Sequence, residues 1–208
     1  MQQNDSNSTV RFALPKGRMF EQIVRLLADA GIHIRQTARD YRPDLSIDGF
    51  STKILKPRNV ISMLSVGARD IGFAGNDWVS ETNTDLIELL DTKLNPVSLV
   101  AAAPTEILED GKLPSRKLVI ATEYPVIAER WVAENDLDAK ILTTFGATEV
   151  FPPEDADCII DNTSTGSTLR ANNLQIIDKI MTSSTRLYAN VEAMKSQPIQ
   201  EQVSALVM

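Results

Sequence analysis

The sequence contains one cysteine, Cys158, and one histidine, His33, among its 208 residues. A single cysteine excludes an intrachain disulfide and a cysteine-rich zinc site, and a single histidine argues against a histidine-based metal site or a Ser-His-Asp triad. Cys158 lies in an apolar run, which predicts a core position rather than a nucleophile. We therefore expect chemistry that depends on positioning and charge, in a reducing compartment.

Long apolar segments are also missing. No stretch approaches the roughly 20 residues that cross a bilayer, and the N-terminus is polar rather than basic and then apolar. These features predict a cytoplasmic protein without membrane contact. Residues 1–9 have little to bury and are expected to form a disordered tail.

Basic residues are outnumbered by acidic ones. There are 21 Lys and Arg against 28 Asp and Glu, for a net charge of -7. This sign argues against a nucleic-acid partner, which needs a basic surface. A polyanionic ligand must instead be held by a local basic cluster or through a metal ion. Hydrophobic residues at 43% and charged residues at 24% are typical of a folded globular chain.

Short β-branched runs alternate with segments of helical spacing. This alternation predicts an α/β fold with mostly parallel sheets. Strands are expected at residues 10–14, 52–55, 71–74, 97–103, 118–122, 140–143, 158–160, 176–180 and 186–189. Helices are expected after Gly17, from Pro57, at 126–133 and at 199–207. We expect two lobes, residues 10–98 with 181–208 and residues 99–180.

The most informative segment follows the apolar run that contains Cys158. An acid, Asp161, is followed by hydroxyl residues around one glycine and then by a predicted helix. Gly166 would let backbone N–H groups face an anion, hydroxyls would add donors, and the helix N-terminus would add its dipole. Asp161 would repel phosphate and suits a sugar diol or Mg²⁺. A phosphorylated ribose fits both halves, although a Ser/Thr-rich helix cap is the alternative.

Several motifs together resemble those of the ATP phosphoribosyltransferase family, in the family's order from about Val10 to Asn190. They include the turn at residues 14–18, the basic turn at 56–60, the Gly-rich segment at 67–77, and the motifs at 120–125, 145–150, 161–169 and 184–190. Two departures stand out: residues 151–157 are acidic and shorter than the family pattern, and Asn59 stands where an acid is common.

The resemblance implies two periplasmic-binding-protein-like lobes with the active site in the cleft between them. It implies the first reaction of histidine biosynthesis, in which N1 of ATP joins C1 of 5-phosphoribosyl 1-pyrophosphate and pyrophosphate leaves. Mg²⁺ would be held mainly by substrate phosphates. The chain resembles the short form of the family, which implies a hetero-oligomer with a regulatory subunit similar to the histidyl-tRNA synthetase catalytic domain, where histidine would be sensed.

The resemblance also implies roles for individual residues. Lys16, Arg18 and Arg39 are expected to act on the departing pyrophosphate, and Lys56, Arg58 and Asp77 to contact ATP. Glu149 and Asp161 are expected on the ribose hydroxyls. The 5-phosphate is expected on the loop Thr163, Ser164, Thr165, Gly166, Ser167 and Thr168.

Three alternative functions would account for part of this pattern. A salvage-type phosphoribosyltransferase would share the acid and the phosphate loop, but would leave the motif at residues 14–18 unexplained. A solute-binding protein would account for two lobes without chemistry, yet needs neither this loop nor a cytoplasmic location. An interaction scaffold explains the loop least well.

Overall fold

The computed structural model describes residues 9–35 and 41–207. Arg39 and most of the expected tail, residues 1–8, lie outside the described residues. The strands are β1 (Val10–Pro15), β2 (Ile34–Arg35), β3 (Asp44–Leu45), β4 (Phe50–Leu55), β5 (Ile71–Gly75), β6 (Leu86–Pro104), β7 (Leu118–Thr122), β8 (Ala139–Thr143), β9 (Cys158–Thr163) and β10 (Leu174–Asn190). The helices are α1 (Arg18–Asp29), α2 (Pro57–Ser65), α3 (Asn76–Thr82), α4 (Pro125–Glu134), α5 (Ser167–Ala171) and α6 (Gln197–Val207).

The chain forms two compact units. Unit 1 comprises the described residues up to Asn95 and those from Ser184 onward, and unit 2 comprises Pro96–Ser183. The chain passes from one unit to the other within strands β6 and β10.

Unit 1 contains the strand order β4-β1-β5-β10, in which the first three strands are parallel and β10 is antiparallel. Phe12 and Leu14 face a core shared with α1 and α6, whereas Ala13 faces the core of α2. This period-2 alternation buries both faces of β1, as expected for a parallel strand. Gly72 is required where α2 crosses the sheet, because an added Cβ would lie 2.6 Å from the Val60 side chain.

Unit 2 contains the order β6-β9-β7-β8, with β9, β7 and β8 parallel and β6 antiparallel to β9. Its core includes Val100, Ile159 and Leu169. Together the two units confirm the predicted α/β class with mostly parallel sheets.

Two strands are longer than the sequence predicted. β6 begins at Leu86, whereas only residues 97–103 were expected, and β10 is one strand where two were expected. The first half of β6 is only partly buried and carries charged residues. Its hydrophobic signal is therefore weak, and its pairing depends on distant parts of the chain.

Candidate active site

The predicted phosphate loop, residues 163–168, lies where β9 joins α5 in unit 2. β9 continues two residues beyond Asp161, to Thr163, so Asp161 lies inside the strand rather than at its end. Gly166 has a φ of +69°, in the left-handed region that favours glycine, and its N–H donates to the Thr163 hydroxyl over 2.9 Å. An added Cβ at Gly166 would lie 2.9 Å from the Arg170 guanidinium. The loop thus turns tightly and needs glycine at its centre.

Some hydroxyls of the loop form hydrogen bonds within the protein and others do not. The Thr165 hydroxyl donates to that of Ser167 over 3.0 Å. The hydroxyls of Ser164 and Thr168 are exposed and have no hydrogen-bond partner within residues 9–35 and 41–207. They can donate to a bound anion. The helix that follows, α5, has only five residues, so its dipole contributes less than the sequence suggested, and the loop depends on hydroxyl and backbone donors.

Two other carboxylates, those of Glu123 and Glu149, lie near enough to Asp161 to affect its pKa. Burial raises the pKa of Asp161 to about 6, and the negative charges of Glu123 and Glu149 raise it further against hydrogen bonds from Asn162 and Thr148 that lower it. Asp161 and Glu149, the two acids expected on the ribose hydroxyls, are therefore near enough for their charges to interact. Glu123 was missed. Because β7 and β9 are parallel neighbours, with Thr122 opposite Ile160, their carboxyl ends place Glu123 beside Asp161.

Unit 1 presents a basic edge, which we define as Lys16, Arg18, Lys56 and Arg58. β1 and β4 are in register, with Pro15 opposite Leu55, so their following turns are adjacent. Lys16, Arg18 and Lys56 are exposed and Arg58 is half-buried. No acidic residue among the described ones forms an ion pair with any of the four. Their charges are available to an anionic ligand.

Arg18 is the first residue of α1. A cation is disfavoured there, because the N–H groups of a helix N-terminus already make the potential positive. A bound phosphate or pyrophosphate would satisfy both the helix end and the guanidinium.

Arg58 and Asp77 have different surroundings. The Arg58 guanidinium lies 5.6 Å from the centroid of the Trp78 ring, a cation–π arrangement that fixes its position at the edge. Asp77 follows β5 at the start of α3 but is only 5% exposed. Any contact of Asp77 with a ligand must therefore use a small exposed part of the side chain.

Acidic residues elsewhere have structural partners. Asp157 accepts hydrogen bonds from Arg116 over 2.7 Å and from the backbone of Val119 over 2.8 Å. At least one acid of the acidic segment at residues 151–157 therefore has a structural role. In the part of the chain that the structure describes, no group of three His, Cys, Asp or Glu side chains could hold a metal ion.

Cys158 and His33 lie where their sequence contexts predicted. Cys158 is fully buried, and burial raises the pKa of its thiol to about 12, so it is not a thiolate nucleophile at neutral pH. His33 is exposed.

Comparison with known proteins identifies the family to which this chain is similar. The family model HisG, ATP phosphoribosyltransferase, matches residues 56–208. The chain belongs to the ATP phosphoribosyltransferase family. An ATP phosphoribosyltransferase from Chlorobaculum parvum is 33% identical over 99% of this chain and 71% of its own length. One from Natronomonas pharaonis is 36% identical over 94% of this chain and 70% of its own length.

Solved structures agree on the fold. The ATP phosphoribosyl transferase (HisG:HisZ) complex from Thermotoga maritima contains a chain that matches with a TM-score of 0.79 and 26% identity, over 96% of this chain and 98% of that one. The alkanesulfonate-binding protein SsuA from Xanthomonas axonopodis matches with a TM-score of 0.57 at 15% identity, over 96% of this chain and 72% of that one. The second match shows the periplasmic-binding-protein-like fold alone.

The assignment confirms the predicted activity. As an ATP phosphoribosyltransferase, the chain is a glycosyltransferase of histidine biosynthesis that acts at the first step. A membrane span would require a longer and more apolar helix than any in the described ranges.

Proposed function

We propose that the phosphate loop and acids of unit 2 bind the phosphoribosyl group of 5-phosphoribosyl 1-pyrophosphate. Residues Thr163 to Thr168 take the 5-phosphate, with the free hydroxyls of Ser164 and Thr168 as donors. Asp161 and Glu149 accept hydrogen bonds from the ribose hydroxyls. The observation that carries this proposal is the pairing of a tight hydroxyl-rich turn with two adjacent half-buried acids, because a phosphate and a diol need opposite partners.

The basic edge takes the remaining phosphates in this proposal. Lys16 and Arg18 bind the pyrophosphate, and Arg39 joins them. Lys56 and Arg58 bind the ATP phosphates, with Asp77 as a further ATP contact. Arg offers a planar fork for phosphate oxygens, and the hold of Trp78 on Arg58 reduces the entropy lost on binding.

The reaction needs alignment rather than a protein nucleophile. N1 of the adenine attacks C1 of the ribose as the bond between C1 and the pyrophosphate oxygen breaks, and the electron pair leaves with pyrophosphate. Arg18 and Lys16 stabilise the charge that develops on this leaving group. The product is N1-(5-phosphoribosyl)-ATP.

Mg²⁺ fits this site as a substrate-bound ion. Its preferred ligands are oxygens, and among the described residues no three acids lie close enough together to hold a metal ion. The pyrophosphate oxygens would therefore supply most ligands, and the ion would neutralise part of the substrate charge in a protein of net charge -7.

A regulatory partner is also part of the proposal. The chain matches nearly all of a subunit from a HisG:HisZ complex, which supports a hetero-oligomer with a subunit that resembles the histidyl-tRNA synthetase catalytic domain. We place histidine sensing on that partner and the enzyme in the cytoplasm.

The test is product formation, followed by absorbance on mixing ATP, 5-phosphoribosyl 1-pyrophosphate and Mg²⁺ with the chain, with and without the partner. We expect the absorbance to increase only when all three components are present. Efficient use of adenine or orotate in place of ATP would contradict the proposal and support a salvage-type enzyme. Strong inhibition by histidine without the partner would contradict the regulatory assignment.

A further inference from the structure

The turn after β7 is tied to the strand that leads into the phosphate loop. The Thr122 hydroxyl donates to the carbonyl of Ile160 over 2.6 Å and accepts from the backbone N–H of Tyr124 over 2.8 Å. Thr122 and Tyr124 are both fully buried. A buried, satisfied hydroxyl of this kind fixes the end of β7 against β9.

Asn162 connects this turn to the site. Its side-chain amide donates to the Tyr124 hydroxyl over 2.8 Å, and its backbone N–H donates to Oδ1 of Asp161 over 2.7 Å. Asn162 thus contacts both the buried tyrosine, through its side chain, and the carboxylate proposed to bind the ribose, through its backbone. The Asn162 backbone N–H is therefore one of the donors that orient the Asp161 carboxylate, together with the Thr148 hydroxyl.

The exposure of Asn162 argues that this contact does more than stabilise the fold. Ordering an exposed side chain near the end of a strand costs conformational entropy, and one hydrogen bond returns little net stability. The same contact has a larger effect on binding, because a loop that is already arranged loses less entropy when its ligand binds.

We propose that Tyr124 is a positioning residue for the phosphoribosyl site, acting through Asn162 to hold Asp161 and the start of the phosphate loop in their binding arrangement. This inference rests on the proposed function of the loop. Tyr124 itself touches neither substrate in the proposal. In the proposal its hydroxyl reaches the site through the side chain of Asn162.

The first test is the Tyr124→Phe variant, which removes one hydroxyl and leaves the ring that packs in the core. We expect the Kd for ribose 5-phosphate, measured by titration calorimetry, to rise about fivefold, as for the loss of one neutral hydrogen bond. KM for 5-phosphoribosyl 1-pyrophosphate should rise by a similar factor and kcat should change less than twofold. Tyr188→Phe is the matched control, because Tyr188 is also buried but belongs to unit 1. It should leave the Kd unchanged.

A double-mutant cycle isolates the contact. Asn162 is exposed, so the Asn162→Leu variant should fold normally. It therefore tests the inference even if Tyr124→Phe does not fold. We expect about the same fivefold loss, and no further loss when both changes are combined. Multiplying effects, about 25-fold in the double variant, or a wild-type Kd in either single variant, would overturn the inference.

Thr168→Val separates this inference from the proposed function. Weakened binding in Thr168→Val with normal binding in Tyr124→Phe and Asn162→Leu would overturn only the positioning role. Normal binding in all of the variants would overturn the assignment of the loop as well.

Discussion

The backbone N–H of Lys16 donates to the carbonyl oxygen of Leu55 over 2.7 Å. This bond continues the pairing of β1 with β4 by one step and holds the turn after β1 beside the turn after β4. Two basic turns are thereby kept at one edge, where their charges repel one another unless an anion binds. Such an arrangement favours binding of phosphates at the expense of stability.

Arg18→Ala should mainly reduce turnover. By comparison with the loss of one preorganised donor, we expect a cost of about 3 kcal/mol, or about a hundredfold in kcat, with a smaller change in KM. Arg18→Lys should recover only part of the rate, because it restores the charge without the planar fork. Steady-state kinetics with both substrates measures the effect.

The matched control is Arg25→Ala, an exposed arginine further along α1, which should retain the wild-type rate. An unchanged kcat in Arg18→Ala would make Arg18 a solvated turn residue and would transfer the pyrophosphate role to Lys16 or Arg39.

Gly166→Val and Thr168→Val should both weaken binding of 5-phosphoribosyl 1-pyrophosphate. The valine at Gly166 must adopt a φ of +69° and displace the Arg170 side chain, so we expect the larger loss there, at least tenfold. Thr168→Val removes one free hydroxyl and should cost about fivefold. Titration calorimetry gives both values, and Thr143→Val on exposed β8 is the control. Wild-type affinity in both loop variants would exclude this loop as the phosphate site.

Binding of ribose 5-phosphate should weaken as the pH falls below about 6. The pKa of Asp161 is raised to about 6, first by burial and then by Glu123 and Glu149, and only its ionised form accepts hydrogen bonds from both hydroxyls. One unit below this pKa, about a tenth of the carboxylate is ionised, so the Kd should rise roughly tenfold by pH 5. The ligand phosphate titrates in the same range. Asp161→Asn therefore serves as the control and should show only the phosphate's dependence; identical profiles would refute the role of Asp161.

Glu123→Gln should shift that profile to lower pH. Removing a neighbouring negative charge lowers the pKa of Asp161, while burial keeps it above the ordinary value.

The Asp161 carboxyl also makes the stability of the fold depend on pH. Its pKa is higher in the folded state than in the unfolded state, so the folded state takes up a proton and stability rises as the pH falls through about 6. Chemical denaturation at pH 7 and pH 5 measures this contribution by comparing Asp161→Asn with the parent chain, and the opposite sign would contradict the assignment.

Cys158 should be dispensable for catalysis. Its thiol is buried and has a pKa of about 12, so a thiol reagent at pH 8 should react slowly with the native chain and rapidly in denaturant. Cys158→Ala should keep kcat/KM within about twofold and lose only packing stability. Loss of turnover in a correctly folded variant would require a role for the thiol in the reaction.

The parts of the site that sequence could predict are local. Gly166 among hydroxyls, with an acid upstream, indicates a phosphate turn because the chemistry of the turn lies within a few residues. The proximity of Glu123 to Asp161 could not be read in the same way, since 38 positions separate Glu123 from Asp161 and only the pairing of β7 with β9 brings them together. The burial of Asp77 was missed for the same reason, because packing around α3 decides it.

The sequence by itself determined the alternation of strands and helices, the position of the glycine turn after β9, and the core position of Cys158, because these depend on periodicity and residue type over short spans. The tertiary structure decided that β1 lies between β4 and β5, that the strands β6 and β10 are long and continuous, and that Glu123 and Glu149 lie near Asp161. These features depend on contacts between residues far apart in the chain. Desolvation and like-charge repulsion at Asp161 arise only when those contacts form, and so its raised pKa belongs to the fold rather than to the sequence around it.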